Sequence, residues 1–201
     1  MHGLMKTLPL LAALACHAFT ASAQAGTGDD VLFELQVTGH SGHGARRSLL
    51  ATQFYAEKAL PGREVSVFLV ANRDQEFRSV YAGLARQFGD LQLGIGFGNA
   101  WYDSRRHMTV NPWLFYRRDD VDAFARAERY SREDKAPWFY KGYVRGRVAD
   151  SIFAGAYGEK DFGVGPLIGW GSGSFKIWSA VPVVDRTKNG SRLAVGLQVE
   201  F

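Results

Sequence analysis

From Val31 to Phe201 the chain alternates apolar and polar positions in short runs, and no long stretch keeps the 3.6-residue period of an amphipathic helix. Counting the alternation predicts twelve strands, over residues 31–38, 48–58, 64–72, 76–88, 91–102, 108–118, 121–130, 136–148, 151–160, 163–171, 174–184 and 192–201. The stretch 46–60, RRSLLATQFYAEKAL, also fits a short amphipathic helix. If it and 31–38 lie outside the sheet, ten strands remain. Every second gap, starting after the second predicted strand, gives residues 59–63 and then the pairs Gly89-Asp90, Asp119-Asp120, Ala149-Asp150 and Ser172-Gly173, so four of the five are two residues long. Such pairs suit tight hairpin turns. The other gaps, among them 40–47, 103–107, 131–135 and 185–191, read as longer and more polar.

The two faces of each strand differ in an unusual way. Leu91, Leu93, Ile95, Phe97 and Trp101 share one face of 91–102, opposite Gln92, Gly94, Gly96, Gly98 and Ala100. In 136–148 the face of Trp138, Tyr140, Val144 and Val148 opposes Lys141, Tyr143, Arg145 and Arg147. Leu193, Val195, Leu197, Val199 and Phe201 alternate with Arg192, Ala194, Gly196, Gln198 and Glu200 up to the last residue. An apolar face backed by a charged or glycine-rich one is met by a closed all-β antiparallel barrel with lipid outside and polar groups inside, where every backbone group is paired. Trp101, Trp113, Trp138, Tyr140 and Trp170 fall near strand ends and are expected in the aromatic girdles at the bilayer boundary.

Composition adds the compartment. Residues 1–25 carry Lys6, an apolar core from Leu8 to Ala15, and two overlapping A-x-A sites at 21–25. They read as a secretory signal peptide, which leaves residues 26–201 as a single barrel domain. Cys16 is the only cysteine, so the exported domain is expected to close without disulfides. Lys and Arg total 24 against 20 Asp and Glu, too mild an excess to point to nucleic acid. No later stretch approaches the ~20 apolar residues of a membrane helix.

The final strand resembles that of Gram-negative outer-membrane β-barrel proteins, which end in alternating apolar residues and a terminal phenylalanine. The resemblance implies recognition of Leu197, Val199 and Phe201 by the barrel-insertion machinery. It also implies export through the periplasm to the outer membrane, with both termini periplasmic. In strand number and arginine-bearing interior, the chain is similar to small twelve-stranded channels for acidic oligosaccharides.

Parity places Arg126, Lys141, Arg145, Arg147, Lys176 and Arg192 inside as cations, with Phe124, Tyr143 and Trp178 beside them. Glu34, Glu57, Asp122, Glu128 and Glu200 are the matching interior anions. Twelve strands lie between the ~8 that side chains fill and the ~16 that leave a water channel. Two readings follow: a narrow pore with a positive strip that draws small anionic solutes, or a barrel plugged by ion pairs. Interior glycines at 94, 96, 98, 163, 165 and 169 either thin the wall or allow close strand approach.

Two rivals are weighed as well. Catalysis on lipid A needs a histidine, and His107 lies near Asp103 and Ser104, but all three share one short loop that does not hold a triad in register. The chain is therefore not read as an enzyme. His40 and His43 supply at most half of a metal site, so no metal or cofactor is expected. The longer-gap rim collects Arg46, Arg47, Arg105, Arg106, Arg132, Lys135 and Lys188, which suit the phosphates of outer-membrane lipopolysaccharide. Oligomeric state is not legible from the sequence.

Overall fold

The computed structural model describes residues 29–42, 45–61, 64–74, 77–102, 105–131, 138–160, 162–184 and 191–201. The signal-peptide reading of residues 1–25 lies outside them. Twelve antiparallel strands form one closed barrel in which each strand pairs with its neighbours in sequence and β1 closes against β12. They are β1 (Asp29–Gly42), β2 (Ala45–Ala59), β3 (Val65–Arg73), β4 (Phe77–Phe88), β5 (Leu91–Tyr102) and β6 (Arg105–Arg118). The circuit continues with β7 (Val121–Tyr130), β8 (Trp138–Ala149), β9 (Ile152–Glu159), β10 (Gly163–Ser172), β11 (Phe175–Ala180) and β12 (Ser191–Glu200). The count is twelve rather than ten, and the 46–60 stretch is strand up to Ala59: β2 pairs with β1 from Ala45 to Lys58.

Tight turns join alternate strands. Gly89 and Gly173 take positive φ there, and Asp119 does so at 50°, which aspartate tolerates better than most residues. On this rim the seam closes with a reciprocal pair of backbone bonds between Val31 and Phe201, at 3.2 and 2.8 Å.

The opposite rim departs from expectation. Only residues 43–44 separate β1 from β2, and only 103–104 separate β5 from β6. Strand pairing runs on past the apolar stripe, because the backbone ladder needs no apolar side chains above the bilayer. The long connections are 131–137 and 181–190. β11 stops at Ala180, four residues before the sequence-based end. Pro182 cannot donate to a ladder, and the chain instead lays Val183 and Val184 against Val164 of β10.

The outside of the barrel is apolar. Leu69, Val80, Leu84, Ile95, Phe97, Leu114, Val144, Ile168 and Leu193 all point outward, Phe97 with 62 % of its surface exposed. A closed barrel with such a surface is a transmembrane barrel, and it belongs in an outer membrane. Trp138, Tyr140 and Trp170 face outward, as girdle residues should. Trp113 does not: it is buried on the inner face, since β6 parity puts it with Asn111 and Phe115 while Pro112 and Leu114 take the lipid side. Single-tryptophan variants reconstituted with brominated lipid are expected to separate the two classes. Trp138 and Trp170 emission will be quenched strongly, whereas Trp113 and Trp178 emission will be nearly untouched.

Candidate functional site: the barrel lumen

The inner faces of the strands carry two aromatic clusters and a set of ion pairs between them. Phe68, Val70, Tyr81, Ala85 and Trp113 form one cluster, with Tyr55, Phe115 and Phe124 against it. Phe153, Tyr157, Phe162, Leu167 and Trp178 anchor the other, with Tyr143 against it. The interior glycines are where these rings lie. A Cβ on Gly94 would sit 2.2 Å from the Trp113 indole, one on Gly169 2.3 Å from Phe153, and one on Gly196 2.2 Å from Trp178. At Gly94 and Gly169 the wall is therefore not left thin. Bare backbone gives each ring a flat surface to rest on. Gly165 answers to the other reading, close strand approach, because its Cβ would meet the Val181 carbonyl at 1.7 Å.

The cations sit between the clusters. Lys141 on β8 donates to Glu34 at 2.8 Å and to Gln36 at 2.9 Å, both on β1. Four strands separate β8 from β1 by the shorter way round, so this bond crosses the lumen. Both ends are dry, at 7 and 6 % side-chain exposure. Arg126 on β7 crosses in the same way. It donates to Gln53 of β2 at 2.6 Å and lies 3.6 Å from Glu128, which also accepts a 2.6 Å bond from the Tyr130 hydroxyl. Arg145 forks onto Asp122 with two 2.7 Å bonds and sends a third to Gln198 at 2.9 Å. Its guanidinium also lies 4.4 Å from the Tyr143 ring and 4.9 Å from Phe153. Lys176 pairs with Glu200, and Arg117 of β6 approaches the same carboxylate at 3.8 Å from the far side of the barrel.

Each described interior cation of the predicted set thus has a carboxylate partner. Two further interior carboxylates are held by neutral donors. Glu57 accepts from Tyr55, Ser66 and Gln92, and Glu159 accepts from Tyr157 and Gln36. The expected positive strip is therefore not bare: Lys141 is answered by Glu34 from across the lumen, Arg126 by Glu128 of its own strand, and Arg145 and Lys176 by Asp122 and Glu200 of neighbouring strands. Arg147 stands apart at the tight-turn rim, 59 % exposed and 3.0 Å from Asp120. The side chain of Arg192 lies outside the described residues. Sequence reasoning missed Phe68, Phe153, Tyr157 and Glu159. A signal existed for Phe68: VSVFLVA is apolar on both faces, and a strand with one wet face is not.

Among the described residues, two cavities stand out inside the barrel. One of about 460 Å³ lies under the tight turns and is lined by Asp120, Asp122, Arg145, Arg147, Lys176 and Glu200. The other, about 180 Å³, reaches among Glu34, Tyr55, Trp113, Phe124, Arg126, Lys141 and Tyr143. Arg117 and Glu200 border both. The buried amide of Asn111 and the indole N–H of Trp113 have no partner among the described residues, and both residues line the smaller chamber. His107 makes a 3.4 Å contact with the Ser131 carbonyl, while Asp103 and Ser104, the partners a triad needs, lie outside the described residues. Among the described residues no three His, Cys, Asp or Glu side chains gather as metal ligands.

A closed barrel with lipid-facing apolar side chains, aromatic girdles and a charged interior defines an outer-membrane β-barrel protein of the porin type of fold. Among solved structures the chain is similar to a KdgM porin, with a TM-score of 0.52 at 12 % identity over 85 % of this chain and 99 % of that one. It is also similar to a NanC porin, with a TM-score of 0.50 at 10 % identity over 84 % of this chain and 98 % of that one. These likenesses are in fold. No family model matches the chain, and no curated protein does.

Proposed function

We propose that the barrel is a narrow outer-membrane channel through which small hydrophilic solutes diffuse, anionic solutes such as acidic oligosaccharides among them. The observation that carries the reading is the smaller chamber. It combines aromatic faces, which suit sugar rings, with Arg126 and Lys141, which suit carboxylates, and both cations are already engaged across the lumen. Passage then requires partner exchange. A solute carboxylate takes Lys141 from Glu34 or Arg145 from Asp122, and the protein carboxylate takes it back as the solute moves on. Such exchange keeps each binding step weak, which conduction needs. Neither a cofactor nor bond chemistry enters this reading.

The cross-lumen bonds favour a second reading, a non-conducting barrel with a structural role. Planar-bilayer recording separates the two. The refolded protein is expected to open in small steps with modest anion preference. Arg145→Gln will reduce that preference, and the double variant Lys141→Met with Glu34→Gln will enlarge the steps. If neither the native chain nor the double variant conducts, the channel reading fails and the plugged barrel stands.

A further inference from the structure

We propose that a row of outward-facing residues at the long-connection rim, Arg73, Arg78, Trp101 and Arg106, binds the phosphates of lipopolysaccharide in the outer leaflet. The proposal rests on that rim facing the cell exterior, and it is independent of whether the lumen conducts.

The row is set by register. Arg73 is the direct partner of Arg78, Arg78 of Trp101, and Trp101 of Arg106, across the four consecutive strands β3 to β6. Strand parity gives all four the side of Leu69, Val80, Phe97 and Leu114, the lipid side, and the three arginines are exposed. At 4.7–4.9 Å per strand the row spans about 14 Å. The Arg78 guanidinium stacks 5.1 Å from the Trp101 ring, and Arg106 donates to Asn99 at 2.7 Å. These contacts orient the forks without neutralising them.

The charge is what calls for a partner. Arg73 and Arg78 stand directly opposite each other, an arrangement of like charges that destabilises a sheet. Among the described residues no carboxylate pairs with any arginine of the row. The tight-turn rim is built differently. There Arg86 lies 3.8 Å from Glu64, and Arg118 lies 3.9 Å from Asp90 and 3.7 Å from Asp119. Among the described residues, one rim therefore supplies its own anions, whereas the arginine row of the other has none. At the boundary of a lipid-facing surface the matching anion is a headgroup. Guanidinium forks match phosphate oxygens two at a time. A row this long exceeds one phosphodiester and suits two phosphates carried on a saccharide. Arg106 belonged to the sequence-based basic set for this rim, whereas Arg73 and Arg78 enter only through the register.

The test uses the full mature chain refolded in detergent and native mass spectrometry with three probes: bisphosphorylated lipid A, its monophosphorylated form and phosphatidylglycerol. The bisphosphorylated lipid is expected to be retained best. Arg73→Gln, Arg78→Gln and Arg106→Gln together will lower its retention about tenfold or more, as loss of charge-assisted bonds should. The control pair Arg86→Gln and Arg118→Gln will leave retention unchanged, and the heat-dependent gel shift of a folded barrel will persist in both. Equal retention of phosphatidylglycerol, equal losses in row and control variants, or no retention by the native chain would each overturn the proposal. Conductance is read on the same variants, so a failure here is separable from a failure of the channel reading.

Discussion

Lys141→Met will lower the unfolding free energy of the barrel by about 3–5 kcal/mol, the usual consequence of stranding one member of a buried ion pair. The substitution removes a cation that is bonded at 2.8 Å to Glu34, in surroundings where neither partner meets much water. Glu34 is then left without its lysine partner, and the Gln36 amide, already turned toward Thr38, Tyr157 and Glu159, does not replace it. Adding Glu34→Gln will recover most of the loss, because a neutral pair in the same space has no charge to desolvate. Urea titration of the protein folded in lipid, followed by tryptophan emission and gel mobility, reads both values. A single variant that costs under about 1 kcal/mol would mean an exposed, weakly coupled pair, and the cross-lumen bridge would be wrong.

Gly94→Ala is expected to cost about 1–3 kcal/mol, the range of an overpacked core, although it adds only one methyl group to an inner barrel wall. That methyl would arrive 2.2 Å from the Trp113 ring. The indole is held edge-on by Phe68 at 5.4 Å and by Tyr55 at 6.1 Å, so a shift away from the methyl breaks these contacts. In a Trp113→Leu background the same alanine will cost far less, and the difference measures the ring–glycine contact as a coupling energy. Gly146→Ala is the control. Its added Cβ meets nothing closer than 3.8 Å, so stability will stay within about 0.5 kcal/mol. Equal costs at Gly94 and Gly146 would show that Gly94 serves the backbone and not the ring.

Much of the architecture was readable before any fold was in view, and particular residues show why. A β-strand has period two, so Leu193, Val195 and Phe201 announce a greasy side however the sheet closes. The two-residue turns at Gly89-Asp90 and Asp119-Asp120 appear where the alternation breaks, and both are found there. Trp113 misled because an aromatic near a strand end suits a girdle or a core equally, and only its phase on β6 separates them. The connections 43–44 and 103–104 came out shorter than expected because polar side chains do not end a strand while its neighbour still offers partners.

The lumen was legible in membership and not in arrangement. Alternation names Arg126, Lys141, Arg145 and Glu34 as inward residues, but it says nothing of who meets whom. Lys141 and Glu34 are 107 residues apart, and Arg126 and Gln53 are 73 apart. Their meeting depends on how far each strand is staggered against the next around a closed circuit. The same holds for the arginine row outside, where Arg73, Arg78 and Arg106 become neighbours only once three hairpin registers are set. Local patterning along the chain thus decided strands, faces and the membrane setting, because these depend on one residue and its immediate neighbours. Pairing across the lumen and along the rim was left to the closed barrel, because stagger accumulates over twelve strands and no single segment records it.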